Sequence, residues 1–186
     1  MDDIARELGI SKKTIYQFFE DKNSLVNAVA ELSILCDQKE IEAINALAKD
    51  PIDEVVRGSE FMRVSMAEMH PSVMYDLQKY HPSAWSIFQD YKNSYMINLI
   101  RNNLGQGIAQ GLYRADMNPD IMARFRMEQV ELGFNTDVFP VDRFNPIDVQ
   151  IELIHHFLRG ILTPKGYELY NQYFKPDSIN SHHFLT

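Results

Sequence analysis

A short polar and basic segment near the start of the chain carries side chains that could bind DNA. These side chains belong to Ser11, Lys12, Lys13, Thr14, Tyr16, Gln17 and Lys22. A glutamine can pair with adenine through two hydrogen bonds, and a lysine can bind guanine. Lysine and tyrosine side chains can also donate hydrogen bonds to backbone phosphates. Together these residue types predict contacts to both the base edges and the backbone of double-stranded DNA.

The residues around this segment have the spacing of two short helices joined by a tight turn. We expect helices over residues 2–8 and 12–19, with the small Ala5 at their crossing. Gly9 falls at the turn, where a left-handed backbone favours glycine, and Ser11 can cap the second helix. The apolar residues expected to face inward are Ile4, Leu8, Ile10, Ile15 and Phe18. A helix-turn-helix has these requirements, and the alternative is an ordinary solvated helical hairpin.

Composition limits the classes of protein that remain. The chain has 186 residues, of which 45% are hydrophobic and 24% charged, as in ordinary globular proteins. A net charge of −8 excludes a protein coated with nucleic acid, but it allows a small basic head on an acidic body. No apolar run approaches the roughly 20 residues of a membrane span, and the first residues do not resemble a signal peptide. With a single cysteine, Cys36, we expect no internal disulfide and a cytoplasmic location.

The histidines and the cysteine do not form a recognisable metal or catalytic site. Zinc-binding histidines on a helix are three or four residues apart, whereas His155 and His156 are adjacent, and His182 and His183 lack nearby cysteine or carboxylate partners. Cys36 lies in an apolar stripe, which predicts a buried, inert thiol. The chain also lacks the G-x-S-x-G, P-loop and H-E-x-x-H patterns. We therefore expect no metal, no cofactor and no enzymatic activity.

Helical periodicity continues along nearly the whole chain, so the expected fold class is all-α. Ser24 is a plausible N-cap of the third helix. Asn118-Pro119-Asp120 and Asn145-Pro146 each predict a helix start, because asparagine caps and proline suits the first helical position. The helices expected after the first two cover about residues 24–48, 52–69, 72–80, 83–104, 119–135, 147–161 and 164–174.

The stretch ISKKTIYQFFEDKNSLVNAVAEL resembles the TetR family of bacterial transcriptional regulators. Members typically show V-S-x-x-T-[LI]-Y-x-[YH]-F-x-[SD]-K-x-x-L. This chain matches that pattern at Ile10, Ser11, Thr14, Ile15, Tyr16, Phe19, Asp21, Lys22 and Leu25. The resemblance is strong over residues 2–32, and GIAQGLYRADMNPDIMA and HHFLRGIL resemble the approach to the last long helices of the family. Lys13 replaces a frequent glycine, and Phe18 replaces a frequent tyrosine or histidine.

The resemblance implies an all-α homodimer that binds operator DNA and responds to a small-molecule effector. It divides the chain into a DNA-binding domain over residues 1–32, a ligand-binding and dimerisation domain over 33–174, and a tail over 175–186. Tyr16 and Lys22 match common phosphate contacts of the family, and Thr14 and Gln17 match positions near DNA. The implied function is that of a repressor released from its operator by a largely apolar or aromatic molecule.

The resemblance also implies a first helix before Asp2 that would cover Ile4, Leu8 and Phe18. Three interpretations stay open. The gene could start farther upstream or the chain could have been shortened, the helix could be present but not visible, or the protein could have lost it. In the last case the alternative function is a dimeric helical protein that binds a small molecule and no longer binds DNA.

Two further sets of residues are candidates for the C-terminal domain. By analogy with the family, the residues that could line an effector pocket are Met62, Met66, Trp85, Phe88, Tyr91, Tyr95, Phe125 and His155. An apolar stripe and matching positions on the helix before it predict a dimer interface, formed by Met122, Phe125, Gln129, Gly133, Ile147, Ile151, Ile154, Leu158 and Ile161. The stripe could instead pack only inside the subunit. Gly160 would permit a close approach of two helices.

Overall fold

The computed structural model describes the backbone of residues 1–68 and 72–174, and the side chains of all of these except 66–68. The described residues are helical, which confirms the all-α class, and their one isolated β-bridge joins Tyr113 to Leu162. The helices are α1 Asp2–Glu7, α2 Lys12–Ile15, α3 Lys22–Leu47, α4 Pro51–Glu68, α5 Val73–Tyr80, α6 Pro82–Tyr91, a π-helical segment Lys92–Met96, α7 Ile97–Ala109, α8 Pro119–Gly133, α9 Pro146–Ile161 and α10 Pro164–Tyr173. Within this part of the chain no helix is long and apolar enough to cross a membrane. The tail over residues 175–186, with His182 and His183, lies outside the described residues.

Helices α8 and α9 begin as their sequences predict. The side-chain oxygen of Asn118 accepts a hydrogen bond from the backbone N–H of Asp120 at 2.9 Å. Asn145 accepts one from Ile147 at 2.9 Å. In each case proline occupies the first turn, where its missing N–H costs no helical hydrogen bond.

The first helices differ from the prediction in two ways. The α-helix that begins at Lys12 ends at Ile15 and continues as a turn, because Gln17 and Phe18 donate to the carbonyls of Thr14 and Ile15 at 3.2 and 3.0 Å. Asp21, rather than Ser24, caps α3. Its carboxylate accepts from the Ser24 N–H at 2.7 Å, and the Ser24 hydroxyl accepts from the Asp21 N–H at 3.1 Å. This reciprocal pair is a capping box.

Helix α3 connects the N-terminal hairpin to the rest of the molecule without a break. The expected domain boundary between residues 32 and 33 therefore falls inside one continuous helix. Cys36 was expected in an apolar stripe with Leu25, Val29 and Leu32. Leu25 is half-buried, but the other three are exposed, because α6 packs along another side of α3. The prediction of a buried Cys36 thiol was wrong for this reason.

The core is formed by α4, α7, α8, α9 and α10. Tyr113 is buried at its centre, and its hydroxyl donates to the Pro51 carbonyl at 3.2 Å or to the Asn103 side chain at 3.1 Å. A Cβ on Gly107 would lie 1.9 Å from the Tyr113 ring, so only glycine permits this packing. The chain then leaves α7 through Gly111, whose φ of +68° ends the helix.

Candidate nucleic-acid interface and effector domain

The turn between α1 and α2 has the hydrogen bonds that position a second helix in a helix-turn-helix. Gly9 has a φ of +64°, its N–H donates to the Arg6 carbonyl at 3.2 Å, and the Ile10 N–H donates to the Ala5 carbonyl at 2.9 Å. This pair of bonds is the Schellman motif that ends many helices. Ala5 and Ile15 are buried where α1 and α2 meet. The spacing of these residues therefore produces the expected turn.

The candidate DNA-binding residues surround α2, and only some of their side chains are without hydrogen bonds inside the hairpin. Lys13, Gln17 and Lys22 are exposed, as is Tyr16, which keeps 45% of its surface accessible. Ser11 serves first as the N-cap, since its hydroxyl oxygen accepts from the Thr14 N–H at 3.0 Å and lies 2.8 Å from the Thr14 hydroxyl. The structure thus presents these four side chains to solvent together, while Ser11 and Thr14 support the geometry.

Lys12 is the one candidate with an acidic partner in its own head. Its ammonium lies 3.0 Å from the Asp2 carboxylate of α1. That hydrogen bond and the charge of Asp2 raise the pKa of the exposed Lys12 ammonium. Because the pair is exposed, water and salt screen it strongly. Asp2 therefore competes with a phosphate for Lys12.

The apolar face of the same hairpin is largely uncovered by the described residues. Phe18 keeps 77% and Leu8 63% of their surfaces accessible, and Ile4 and Ile10 are also exposed. Of the five apolar residues expected to face inward, Ile15 alone is buried. In this N-terminal hairpin, which we call the head, the polar side and the apolar side are therefore both exposed to solvent.

Two polar contacts connect the head to the body of the molecule. His81 Nδ1 lies 3.0 Å from the side-chain oxygen of Asn23, at the start of α3. One turn farther on, the Ser83 hydroxyl donates to the side chain of Asn27 at 2.9 Å. Lys22 is the first residue of the same helix. A displacement of α6 along α3 would therefore also move the candidate DNA-binding residue Lys22.

The predicted pocket residues do not come together in one cavity. Trp85 stacks on Phe88 with ring centres 5.5 Å apart, and Tyr91 stacks on Tyr95 at 5.4 Å. Both pairs lie on the continuous helical stretch of α6 and the π-segment. Helix α6 packs against α3. Burial raises the pKa of Tyr91, and the negative charge of Asp37 on α3 adds to this shift. Met62 is half-buried on α4, and the side chain of Met66 is outside the described ones.

Phe125 and His155 have other neighbours than these rings, since Phe125 lines an open groove along α8 and His155 lies against α10. Their assignment to the effector pocket stays a prediction. Phe125 is 49% accessible on the outer face of α8. His155 is buried between α9 and α10, where its Nδ1 lies 2.7 Å from the Tyr170 hydroxyl and its ring meets the edge of Phe174 at 4.5 Å. Burial lowers the pKa of His155, with a further contribution from Arg159. The sequence placed both residues on the correct helices but could not say which side of each helix faces the body.

An open groove of about 440 Å³ adjoins the tyrosine pair between α3 and the start of α7. Its lining residues are Gln38, Ser94, Tyr95, Asn98, Leu99 and Asn102. Small-molecule sites are usually more enclosed and more apolar than this one. The groove therefore offers a place for part of a ligand rather than a finished cavity.

The predicted interface stripe on α9 packs inside the subunit. Leu158 and Ile161 are almost fully inaccessible, Ile154 is buried, and Ile147 and Ile151 are half-buried. On α8, Gln129 is buried, and Gly133 lies against Gln150, where a Cβ would come within 2.3 Å of the amide nitrogen. Met122 is half-buried, so only Phe125 among the named residues is well exposed. The assignment of Ile154, Leu158, Ile161 and Gly133 to an interface was therefore wrong, because they are buried inside the subunit. Gln129 also lines an open groove with Phe125, and its assignment stays a prediction.

The outer face of α8 shows a different apolar row that the sequence reasoning missed. Ile121, Phe125 and Leu132 are exposed along one side of the helix, and their spacing of four and seven residues keeps them in line. Val138, Val141 and Phe144 of the following loop are exposed as well. A spacing count on α8 alone, rather than a search for positions matching α9, would have found this row.

Two buried cations were also missed. Lys92 in the π-segment and Arg126 in α8 each keep only 6% of their surface accessible. Arg126 shares the inner side of α8 with Ala123, Val130 and Gly133, at spacings of three, four and three residues. A charged residue within such an apolar and small-residue series is a signal of a buried charge that the sequence does offer.

Comparisons with known proteins agree with this geometry. Residues 1–29 match the family model for bacterial regulatory proteins of the tetR family. The chain is 31% identical over 171 residues to the uncharacterized HTH-type transcriptional regulator YvaF of Bacillus subtilis (strain 168). The aligned region covers 87% of this chain and 84% of that protein.

Solved structures show the same fold. A TetR-family transcriptional regulator from Agrobacterium tumefaciens superposes with a TM-score of 0.72 at 16% identity, over 87% of this chain and 86% of that one. Thermus thermophilus FadR, a TetR-family repressor in complex with lauroyl-CoA, superposes with a TM-score of 0.55 at 15% identity, over 86% and 83%. The expected resemblance is confirmed. This chain belongs to the TetR family of bacterial transcriptional regulators, which are not enzymes.

Proposed function

We propose that this protein is a cytoplasmic repressor that binds double-stranded operator DNA as a homodimer and leaves it when a small molecule binds the helical body. The observation that carries the proposal is the surface around α2. There Lys13, Tyr16, Gln17 and Lys22 are exposed together, next to a turn and a cap with helix-turn-helix geometry. These residue types suit both base edges and phosphates.

Effector response is supported by the packing of α6 against α3. The stacked aromatic pairs of α6 and the π-segment lie beside α3, and the contacts Asn23–His81 and Asn27–Ser83 connect the same helices near the head. A largely apolar or aromatic molecule that inserts among these rings would displace α6 and tilt the start of α3. The related fold of FadR holds lauroyl-CoA, which supports a ligand in the body.

Dimerisation is supported by the exposed apolar row on α8. Ile121, Phe125 and Leu132 form a surface of the kind that buried interfaces use. Two such rows facing each other across a twofold axis would bring together two recognition surfaces. Half-sites separated by about 34–36 Å, one turn of DNA, or a multiple of that distance suit a dimer of this class.

The test is binding of the full chain to the DNA upstream of its own gene, measured by fluorescence anisotropy at several salt concentrations. We expect saturable binding. The logarithm of the association constant should fall linearly with the logarithm of the salt concentration. Gln17→Ala should change the preference among operator variants, because a base contact carries sequence information. Lys22→Ala should weaken all fragments alike and reduce the salt slope by about one unit.

Lys39→Ala is the matched control, since Lys39 is also an exposed lysine on α3 but lies several turns from the head. Its affinity and salt slope should equal those of the unchanged protein. Equal losses from Gln17→Ala and Lys22→Ala on every sequence would contradict the division between base and phosphate contacts.

One observation favours a second candidate, a dimeric ligand-binding protein without DNA binding. The apolar face of the head, with Leu8 and Phe18 exposed, is largely uncovered by the described residues. A small hairpin depends on such packing to hold its recognition helix in place. Absence of salt-dependent binding to any upstream fragment, together with ligand binding by the body, would establish this candidate instead.

A further inference from the structure

The two buried cations of the body differ in their partners. The Lys92 ammonium lies 2.7 Å from Glu131 and 3.2 Å from Glu128, both on α8. Burial lowers the pKa of this ammonium, but the hydrogen bonds from the two carboxylates outweigh it, and the pKa is raised. Lys92 is therefore a buried charge with its counter-charges in place.

Arg126 is equally buried and has no such partner. Among the described residues no hydrogen bond or ion pair reaches its guanidinium, and its Nη1 is fully inaccessible and unpartnered. The centre of the Phe157 ring on α9 lies 5.9 Å from its guanidinium carbon. An aromatic face attracts a cation, but it cannot accept the several N–H groups that a guanidinium carries.

The charge persists at neutral pH in spite of this burial. Burial alone lowers the pKa of the Arg126 guanidinium to about 10, which still leaves it protonated. An isolated buried charge without hydrogen bonds is strongly unfavourable, and native proteins usually pair such groups. One turn along α8 the side-chain oxygen of Gln129 is also buried and unpartnered. The Gln129 oxygen can only accept a hydrogen bond, whereas the guanidinium of Arg126 can only donate, so the group that pairs with Arg126 must be an acceptor.

We propose that Arg126 is the anchor for the carboxylate of the small-molecule effector, whose apolar part inserts among the aromatic residues of α6 and the π-segment. The proposal rests on the effector response proposed above and names the chemical class of that effector. A carboxylate matches the guanidinium because two parallel N–H···O bonds join the planar groups. It also carries one negative charge, which one cation can neutralise. A phosphate monoester carries more negative charge, and Lys92, the other buried cation, is already paired with Glu128 and Glu131.

The test compares acids with neutral molecules of the same shape. Decanoate and 4-phenylbutyrate, each beside its primary amide, are titrated against the full chain by calorimetry, with decyl phosphate as a further arm. We expect at least one acid to bind about tenfold or more tightly than its amide, as a charge-assisted hydrogen bond implies. Tighter binding of decyl phosphate than of either acid would overturn the choice of carboxylate, and so would equal binding of acid and amide or no binding by either acid.

Two variants locate the effect. Arg126→Met should abolish the preference for the acid, and Arg126→Lys should retain part of it, since a lysine keeps the charge without the paired geometry. Arg124→Met is the matched control on the exposed side of α8 and should preserve the preference. An acid preference that survives Arg126→Met would overturn the proposal.

The ligand-free protein supplies a second readout. Removing a lone buried charge should raise the Tm of Arg126→Met by roughly 2–8 °C, because an apolar side chain of similar size removes the desolvation cost. A lower Tm, or a change from dimer to monomer in sedimentation, would show that Arg126 has a structural partner and would overturn the proposal. DNA binding without added ligand is measured in parallel. If it persists while the acids fail, the repressor proposal stands and only the effector class is wrong.

Discussion

Helices α8 and α9 begin with the same Asn-Pro sequence, but the apolar side of α9 is buried and that of α8 is exposed. The apolar stripe of α9 lies inside the subunit, where Leu158 is fully inaccessible. Helix α8 has its apolar row of Ile121, Phe125 and Leu132 outside and the polar Arg126 and Gln129 inside. The two helices therefore differ in which of their sides, apolar or polar, faces the core.

The largest expected effect follows from the outer face of α8. Phe125→Glu places a carboxylate twice in a twofold interface, once from each subunit, and should raise the dimer Kd about 1,000-fold or more. Analytical ultracentrifugation at micromolar concentration should then show monomer. Tyr167→Glu on α10 is the control, since Tyr167 is similarly exposed, at 44%, and should leave the dimer intact. A dimer that persists in Phe125→Glu would move the interface away from α8.

The second prediction concerns the inner stripe of α9. Leu158→Ala should lower the free energy of unfolding by about 2–5 kcal/mol, because it leaves a cavity in a fully buried site. Ile121→Ala on the outer face of α8 should change it by less than about 1 kcal/mol, since an exposed side chain loses little packing. Both are measured by urea denaturation in the Phe125→Glu background, where dimerisation no longer contributes. Equal losses would contradict the difference between the two helices.

The smallest effect is a pH dependence at the junction of α9 and α10. The pKa of His155 is lowered in the folded state, so the unfolded chain takes up the proton more readily. Folding stability is therefore lost as the pH falls through the unfolded value of 6.5 towards the lower folded value. His155→Gln keeps a hydrogen-bonding group beside Tyr170 but cannot titrate.

Thermal unfolding at about pH 7.5 and about pH 5.5 tests this linkage. The decrease in Tm between the two should be smaller in His155→Gln than in the unchanged protein by roughly 2–4 °C. His156→Gln, at the exposed neighbouring position, should reproduce the decrease of the unchanged protein. A decrease that is the same in all three proteins would show that His155 does not titrate as its burial implies.

Local features could be predicted because they depend on neighbours in the chain. Gly9 and Ser11 form the expected turn and cap, and the asparagine caps of α8 and α9 are where the sequence places them. The family follows from the same short stretch, since Thr14, Tyr16 and Lys22 belong to its pattern. The all-α class needed only the helical period of the apolar residues.

The side of each helix that faces the core could not be predicted in the same way. Phe125 and Arg126 are consecutive residues on one helix, yet one is exposed and the other buried. Which of them faces inward depends on where α7 and α9 pack against α8, and that is decided by contacts between residues far apart in the chain. Cys36 was expected to be buried because the sequence does not show which side of α3 packs against the body, and that prediction was wrong.

The order of residues was enough to establish a helix-turn-helix head, its exposed polar residues and the family to which the chain belongs, because these depend on contacts within a few residues. Within the described part of the chain, tertiary packing decided that the stripe of α9 forms core and that the row of α8 is exposed. It also decided that Lys92 has two carboxylate partners there and Arg126 none. The physical reason is that burial and charge pairing depend on how helices pack against one another. The spacing of residues along the sequence does not determine that packing.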